Sequence, residues 1–406
     1  MASEHAHLWT LDPAVDFLNH GSYGATPRTV LAAQQRWRER MEAEPVRFFS
    51  HDLQPALDAA RAALATFVGC ESQDLALVPN ATAGTNSVLR SLRFAPGDEL
   101  LTTDHAYNAA RNAMEFVAER DGARVVVASV PFPLRSAQEV TDALLRRVTP
   151  RTRLAVLDHI TSATALVLPV RELVAELTAR GVETLIDGAH AAGQVPLSIP
   201  DMGASFYAGS LHKWVSAPKG AGFLWVRRDR QPAIHPLAIS HGANSARTDR
   251  SRFRLEFDWT GTADPSAHLA VPEALRFGEN LLRGGWEALR SRNHQLACEG
   301  RDILCAALGI NPPAPDSMLG SMASVPLPDE SGKGTVQGVD LSGDPVHDSL
   351  EAQGLQVMVT PWPQRPEGGP WRRLVRISAA AYNDAAQYRR LAVALPAAIS
   401  VGAAQA

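Results

Sequence analysis

Short apolar runs alternate with amphipathic stretches between residues 75 and 226, and this alternation limits the fold more than any other feature of the chain. The apolar runs predict buried strands at residues 75–78, 99–103, 123–130, 154–158, 182–187 and 222–226. The amphipathic stretches predict helices that start near residue 81 and that cover residues 108–119 and 170–180. Strands separated by helices form a parallel sheet with helices on both faces. The sequence therefore predicts an α/β fold.

The flanking parts of the chain have a different character. Two helices are predicted before the alternating region, at residues 27–45 and 53–67, and Gly69 ends the second of them. Beyond Thr262 the sequence predicts a long helical region at residues 266–308 and a last helix at 385–394. Two short strands are predicted at 320–326 and 373–377, and two loops rich in Pro, Gly and Asp at 309–345 and 360–371. A chain of 406 residues with 45% hydrophobic content favours two domains.

The composition argues against several classes of partner. The formal net charge is −4, so the chain offers no basic surface for nucleic acid or for an anionic membrane. No apolar run is long enough to span a bilayer, and the N-terminus lacks a signal-peptide pattern. The three cysteines are scattered without metal-ligand spacing. We expect a cytoplasmic protein that binds neither nucleic acid nor membrane.

Four polar residues follow predicted strands: Tyr107, Ser162, Asp187 and Lys213. Ligands of parallel sheets collect outside the carboxyl ends of the strands. A lysine in a polar turn beside a buried sheet is a candidate for a lowered pKa and for imine chemistry. Asp187 and Lys213 are the two contacts that pyridoxal phosphate needs most, because the acid pairs with the pyridine nitrogen and the lysine holds the aldehyde as a Schiff base. Lys219 is the competing lysine.

Two motifs carry a resemblance to a known family. Asp187-Gly188-Ala189-His190, together with Ser210-Leu211-His212-Lys213, resembles the class V aminotransferases of fold-type I, and the isopenicillin N epimerase-like branch in particular. The likeness extends from residues 18–24 to residues 374–378. It implies pyridoxal 5'-phosphate as cofactor, a large domain with a mainly parallel seven-stranded sheet flanked by helices, and a smaller α+β C-terminal domain. It also implies a homodimer with the active site at the interface.

The expected division of the chain has three parts. The N-terminal segment (residues 1–26) packs on the small domain and the active site, residues 27–265 form the large cofactor-binding domain, and residues 266–406 form the small C-terminal domain.

The resemblance assigns roles to individual residues. Lys213 forms the Schiff base and later carries the proton of Cα, while Asp187 pairs with the pyridine N–H in its ionised form. His190 and Ser162 lie near the phenolic oxygen of the cofactor. The phosphate is bound by Ala81, Thr82, Ala83, Ser210 and His212, and by Gly261 and Thr262 from the neighbouring subunit. The small-residue turn at 81–83 starts a helix, whose N-terminal N–H groups suit a phosphate.

The remaining assignments concern the ring face and the substrate. Either His105 or Tyr107 covers the exposed face of the ring, and Tyr107 is preferred because the epimerase-like branch fits a tyrosine there. Its hydroxyl could act as acid or base on the face opposite Lys213. Arg376 matches the arginine that holds the substrate α-carboxylate through its bidentate fork. His20 and Tyr23 are candidates on the substrate side.

The sequence leaves the reaction open among three possibilities on a small amino acid or amino-acid conjugate. The first is epimerisation at Cα through a deprotonated quinonoid, which would belong to secondary metabolism such as antibiotic biosynthesis. The second is C–S β-elimination from an S-substituted cysteine. The third is decarboxylation, with or without oxidative deamination by O₂. A cysteine desulfurase is disfavoured because no cysteine follows Cys305. A non-catalytic regulator that binds pyridoxal phosphate would carry a DNA-binding segment, and none is visible before Pro27.

Overall fold

The computed structural model describes residues 3–328, 344–363 and 372–405, with side chains described as far as residue 400. Residues 329–343 and 364–371 of the two predicted Pro/Gly/Asp-rich loops lie outside these ranges. No described helix is both long and apolar enough to cross a membrane.

Twelve strands lie in the described residues. They are β1 (Asp16–Phe17), β2 (Leu75–Val78), β3 (Glu99–Thr103), β4 (Arg124–Ala128), β5 (Thr152–Asp158), β6 (Glu183–Gly188), β7 (Phe206–Ser210), β8 (Gly222–Val226), β9 (Met322–Pro326), β10 (Leu355–Gln356), β11 (Met358–Trp362) and β12 (Arg372–Ser378).

The α-helices of the described residues surround these strands. They are α1 (His20–Tyr23), α2 (Arg28–Ala43), α3 (Pro45–Arg47), α4 (Leu53–Val68), α5 (Ala81–Ser91), α6 (Asn108–Asp121), α7 (Ala137–Leu145), α8 (Val170–Thr178), α9 (Arg252–Asp258), α10 (Ser266–Leu269), α11 (Val271–Leu281), α12 (Gly285–Leu308), α13 (Pro345–Glu351) and α14 (Ala385–Gln405).

Seven strands form the central sheet, in the order β2-β8-β7-β6-β5-β3-β4. All neighbours from β7 to β4 are parallel, and β8 alone runs antiparallel to both strands beside it. Every residue of β7 and β8 is buried, as expected for strands covered on both faces. The predicted fold class is therefore confirmed: a mainly parallel seven-stranded sheet flanked by helices, as in fold-type I enzymes.

Helix α4 illustrates how the sequence dictates the helical layer. Leu53, Leu57, Leu64 and Val68 recur at helical spacing and are buried. Gly69 ends the helix in the left-handed conformation, with φ at 68°, which glycine adopts at little cost. Two large apolar clusters result, one on each face of the sheet, and they form the core of this part of the chain.

The C-terminal part forms a second layer around a three-stranded antiparallel sheet in the order β11-β12-β9. The helical region predicted at 266–308 is divided into three helices. The first break is at Ala270, and the second is at the pair Gly284-Gly285, where both glycines have a positive φ. The last helix is longer than predicted. It continues through Pro396 because buried side chains still recur at helical spacing, at Leu391, Leu395 and Ala398.

The N-terminal segment is joined to the C-terminal layer by backbone pairing. Strand β1 pairs in parallel with β10, and the N–H of Ser378 donates to the carbonyl of Leu18 at 2.8 Å. Helices α10 and α11 pack instead on α2 and α4 of the large layer. The division of the chain at residues 26 and 265 remains a prediction.

Candidate active site

The carboxyl ends of β5, β6 and β7 bring three polar residues to one edge of the sheet. Asp158 and Asp187 are paired across neighbouring parallel strands, and Ser210 is the last residue of β7. The turn between β7 and β8 then presents Lys213 at this same edge. The structure thus brings together the acid and the lysine that were predicted from their positions after strands.

Lys213 lies among cationic and acidic groups, with its Nζ atom 3.1 Å from Nε2 of His190. Burial lowers the pKa of Lys213 to about 8, helped by the charge of Arg376 and opposed by Asp187 and Asp158. A substantial fraction of the amine is therefore neutral near physiological pH. The competing Lys219 points elsewhere and donates to the carbonyl of Gly24 at 3.0 Å.

Asp187 is 4% exposed, and one of its oxygens accepts from the N–H of Ala189 at 3.0 Å. Burial raises the pKa of Asp187, and the Ala189 N–H and Lys213 offset only part of this rise. The pKa of Asp158 lies well above its usual value because the carboxyl is buried beside Asp187. The protein alone does not favour the ionised form expected for Asp187. A cationic partner such as a protonated pyridine nitrogen would favour it.

Three of the residues assigned to the phosphate, Ala81, Thr82 and Ala83, form the first turn of α5. The side chain of Asn80 caps the helix by accepting from the N–H of Ala83 at 2.9 Å. The hydroxyl of Ser210 accepts from the N–H of Ala81 at 3.1 Å, so the end of β7 meets the start of α5 at this turn. Thr82, between Ala81 and Ala83, is exposed. Nδ1 of His212 is buried without a hydrogen-bond partner among the described residues. The N–H groups of Ala81 and Ala83 are therefore engaged within the protein, and the assignment of this turn to the phosphate remains a prediction.

Arg376 is 1% exposed and fixed by four hydrogen bonds. One terminal nitrogen donates to the carbonyl (2.8 Å) and hydroxyl (3.3 Å) of Ser162, and the other donates to Asn19 (3.0 Å) and Ser22 (2.9 Å). Its Nε atom is buried with no partner among the described residues. Burial lowers the pKa of Arg376 to about 10, so the side chain remains a cation. Ser162 therefore contacts this arginine, and its assignment to the cofactor remains a prediction.

The two candidates for the ring face differ in their surroundings. Both ring nitrogens of His105 are engaged, by Thr164 at 2.7 Å and by the carbonyl of Val130 at 3.1 Å. The His105 ring packs against Trp362, with the centroids 4.2 Å apart. Tyr107 precedes α6, and the charges of Asp187 and Arg376 influence its hydroxyl. Tyr107 is therefore close enough to both groups to feel their charges, and its assignment to the ring face remains a prediction.

His20, a candidate on the substrate side, is enclosed, and that role remains a prediction. It is 2% exposed, its Nδ1 lies 2.7 Å from the Tyr382 hydroxyl, and its Nε2 lies 2.8 Å from the backbone carbonyl of Lys213. Burial lowers the pKa of His20 to about 4, so it is neutral. The His20 side chain thus contacts the lysine turn at the backbone carbonyl of Lys213. Tyr23 is 51% exposed and, of the two, is the one accessible to a substrate.

Gly24 lies where the N-terminal segment meets the lysine turn. Its φ is +70°, and a Cβ atom there would overlap the carbonyl oxygen of His212. Gly181 has a similar φ of +73° with nothing within 4 Å of a Cβ atom, so it isolates the cost of the backbone conformation. We expect Gly181→Ala to cost about 1 kcal/mol of stability and Gly24→Ala about 3 kcal/mol. Thermal unfolding of the two variants measures the difference, and equal midpoints would contradict the close approach.

The structure does not join Gly261 and Thr262 to the lysine. Both are exposed on the loop after α9, and no described hydrogen bond links them to the residues around Lys213. Their assignment to the phosphate of a neighbouring subunit remains a prediction.

Sequence reasoning missed Asp158, Trp214 and Tyr382. Asp158 carried a usable signal, because it ends a predicted strand in the same way as Asp187 does. Trp214 donates its indole N–H to Nδ1 of His190 at 3.4 Å, and Tyr382 contacts His20 from the far end of the chain. Neither contact follows a sequence periodicity.

These groups fit pyridoxal phosphate. Lys213 offers an amine of lowered pKa to the aldehyde, and the buried Asp187 offers a carboxyl that a cation would ionise. The first turn of α5 offers the positive end of a helix to the phosphate, and the hydroxyl of Ser210 lies beside that turn. When bound, the group supplies an electron sink for charge that develops at the substrate Cα.

Comparisons with known proteins agree with this fit. The family model described as aminotransferase class-V matches residues 18–391. The isopenicillin N epimerase of Amycolatopsis lactamdurans is 36% identical over 400 residues, which cover 95% of this chain and 96% of the relative. An L-cysteine desulfhydrase of Arabidopsis thaliana is 30% identical over 410 residues, which cover 96% of this chain and 88% of the relative.

Solved structures share the fold. A cysteine desulfurase of Escherichia coli matches with a TM-score of 0.77 and 21% identity over 98% of both chains. The cystine C–S lyase C-DES, in complex with cysteine persulfide, matches with a TM-score of 0.74 and 23% identity over 94% of this chain and 97% of its own. Together with the family match, these findings show that the chain belongs to the class V aminotransferase family and is an enzyme that uses pyridoxal 5'-phosphate.

Proposed function

We propose that the enzyme removes the Cα proton of an amino acid with a sulfur substituent at Cβ and then eliminates the thiol. The observation that supports this choice is that, near neutral pH, one group beside the site is partly deprotonated and another is protonated. The pKa of the Lys213 amine is lowered to about 8, whereas burial and the charge of Asp187 raise the pKa of the Tyr107 phenol. Lys213 is thus suited to accept a proton and Tyr107 to donate one.

Substrate binding is proposed to centre on Arg376. Its guanidinium is already oriented by Ser162, Asn19 and Ser22, so little side-chain entropy is lost when a carboxylate binds. A planar guanidinium binds a carboxylate through parallel hydrogen bonds, and this would fix the orientation of the α-carbon. The exposed Tyr23 lies at the end of α1, near this arginine, and is placed to contact the substrate side chain.

The proton transfers balance between Lys213, Tyr107 and water. The Cα–H bond breaks and its proton moves to Nζ of Lys213. The Cβ–S bond then breaks, its electron pair leaves with sulfur, and the Tyr107 hydroxyl protonates the thiolate. Water then hydrolyses the resulting α,β-unsaturated amino acid to a keto acid and ammonium. No cysteine nucleophile is required, in keeping with burial that raises the pKa of Cys70 to about 12 and those of Cys298 and Cys305 to about 11.

Epimerisation is the second candidate, and the end-to-end similarity to an isopenicillin N epimerase favours it. There, Tyr107 would return a proton to the opposite face of Cα. A phenol of raised pKa is protonated near neutral pH, so it can donate a proton but cannot take one from Cα; epimerisation in the reverse direction would then be slow, and elimination is preferred for this reason. Decarboxylation remains a third outcome of the same site.

The test is an incubation of the purified enzyme in heavy water with L-cysteine, S-substituted cysteines and isopenicillin N, followed by mass spectrometry. Release of a thiol with pyruvate supports elimination. Deuterium at Cα with inverted configuration and no other mass change would favour epimerisation instead, and loss of CO₂ would favour decarboxylation.

Tyr107→Phe tests the proposed proton donor. For an S-alkyl cysteine, whose thiolate leaves poorly, we expect kcat/KM to fall about a hundredfold. For S-(2-nitrophenyl)-L-cysteine, whose thiolate is stable, we expect a much smaller loss. The two substrates serve as each other's control in one protein. Equal losses would contradict a role in protonating the leaving group.

Two coarser properties are proposed alongside the reaction. A homodimer would allow the exposed Gly261-Thr262 loop of one subunit to reach the phosphate of the other. A cytoplasmic location follows from the composition and from the reduced state expected of three scattered cysteines. Gel filtration of the holoenzyme tests the first of these.

A further inference from the structure

Three side chains beside the sheet edge form one hydrogen-bonded chain. The indole nitrogen of Trp214 lies 3.4 Å from Nδ1 of His190, and Nε2 of the same histidine lies 3.1 Å from Nζ of Lys213. Trp214 is 6% exposed and His190 is 3% exposed, so the hydrogen bond between them is enclosed.

The direction of the chain follows from the chemistry of its first member. An indole N–H donates and cannot accept, so Nδ1 of His190 must accept from Trp214. A neutral imidazole with an unprotonated Nδ1 carries its proton on Nε2. That N–H points at Lys213 and finds an acceptor there only when the amine is neutral and keeps its lone pair.

The protonated form of Lys213 does not fit this arrangement. An ammonium would have to donate to Nε2, which would move the histidine proton to Nδ1. Two N–H groups, those of Trp214 and His190, would then face each other, and one hydrogen bond in a buried site would be lost. An imidazolium is excluded because burial and the charge of Lys213 hold the pKa of His190 well below its usual value.

We propose that Trp214 is a positioning residue that sets the tautomer of His190 and thereby shifts the amine of Lys213 toward its neutral form. The proposal rests on the proposed function in one respect, namely that Lys213 is the lysine that reacts with the aldehyde. The neutral amine is the nucleophilic form, so the indole would act on cofactor capture without contacting the cofactor.

The indole is fixed, and it therefore imposes its direction on the histidine. A Cβ atom on Gly193, which has φ of +93°, would overlap the backbone carbonyl of Trp214, so the two segments are in close contact. The ring of His20 packs against the indole with centroids 4.9 Å apart. His190 is the member that is free to choose a tautomer.

Other charges also act on Lys213, and the effect of Trp214 is additional to theirs. Arg376 lowers the lysine pKa, while Asp187 and Asp158 raise it. The remaining titratable groups that face this cluster are His212, His20 and Lys219. The pKa values of His20 and His212 are lowered to about 4, so both are neutral and do not vary near pH 7.

The tautomer can be measured directly. In the full chain stripped of cofactor and labelled with ¹⁵N-histidine, NMR distinguishes a protonated nitrogen from an unprotonated one, and His190→Gln assigns the signal by its loss. We expect His190 to carry its proton on Nε2. A proton on Nδ1 would overturn the proposal, and this outcome does not depend on any variant folding or on which lysine binds the cofactor.

The consequence for Lys213 is tested with two tryptophan variants. Trp214→Phe keeps a ring but removes the donor, whereas Trp225→Phe removes a buried indole N–H that has no partner among the described residues. The readout is the pH dependence of reductive methylation of Lys213 by formaldehyde and cyanoborohydride, followed by peptide mapping. We expect the midpoint in Trp214→Phe to rise by about one pH unit, which slows labelling about tenfold at pH 7. Trp225→Phe should match the parent protein.

An unchanged midpoint in Trp214→Phe would overturn the proposal. Failure of the proposed function looks different. Borohydride reduction of the holoenzyme would then attach the cofactor to a peptide other than the one that contains Lys213, while the tautomer of His190 and the labelling midpoint would still report on Trp214.

Discussion

Replacement of Lys213 with alanine is expected to abolish covalent attachment of the cofactor and to lower kcat at least about a thousandfold. The variant loses both the amine that reacts with the aldehyde and the group that takes the Cα proton, so neither role is rescued by a neighbour. Borohydride reduction, tryptic digestion and mass spectrometry measure the attachment, and the visible absorbance band of the holoenzyme should disappear with it.

Lys219→Ala is the matched control. Its ammonium donates to the carbonyl of Gly24 and not to the residues around Asp187, so the covalent link should persist in this variant. A Lys213→Ala protein that still carries reducible cofactor on a peptide would contradict the assignment of the lysine, and with it the base of the proposed reaction.

Replacement of Asp187 with asparagine is expected to lower kcat by about a hundredfold to a thousandfold while the fold is kept. Asparagine has the same shape but no negative charge, so it would not hold a proton on the pyridine nitrogen and the ring would accept charge from Cα less well. Cofactor affinity should fall as well, which titration of the stripped protein with pyridoxal phosphate measures.

Asp158→Asn provides the comparison for that variant. Burial beside Asp187 raises the pKa of Asp158 well above its usual value and so favours the protonated carboxyl, which an amide resembles in shape and charge. The oxygen that faces the backbone N–H of Tyr107 is also kept. We therefore expect at least about a tenth of the activity to remain. Equal losses at both positions would show that the pair acts as a unit.

The parts of the fold that could be predicted are those fixed by local pattern. The strands that were predicted end within about two residues of their predicted ends, because a buried strand is a short apolar run bounded by turn residues. Strands β1, β7, β10 and β11 were not predicted. Asp187 could be assigned to the site because it ends a predicted strand, and Lys213 because it lies in a polar turn beside the sheet. The break at Gly284-Gly285 was missed, since the apolar pattern resumes on its far side.

The rest of the site depends on contacts between distant parts of the chain. The contact of His20 with Tyr382 and the bonds from Arg376 to Asn19 and Ser22 join the two ends of the sequence. The packing of the His105 ring against Trp362, which bears on the choice between His105 and Tyr107, is another contact of this kind. No periodicity in the sequence encodes such pairings.

The short N-terminal stretch from Asp16 to Gly24 touches three places that are far apart in sequence. It pairs with β10, it holds the guanidinium of Arg376, and it lies against the carbonyl of His212. Substitutions at any of these positions alter the fit of the other two. Across an alignment of relatives, the three segments should therefore vary together, and a chimaera that exchanges only one of them between two relatives should lose activity that exchanging all three restores.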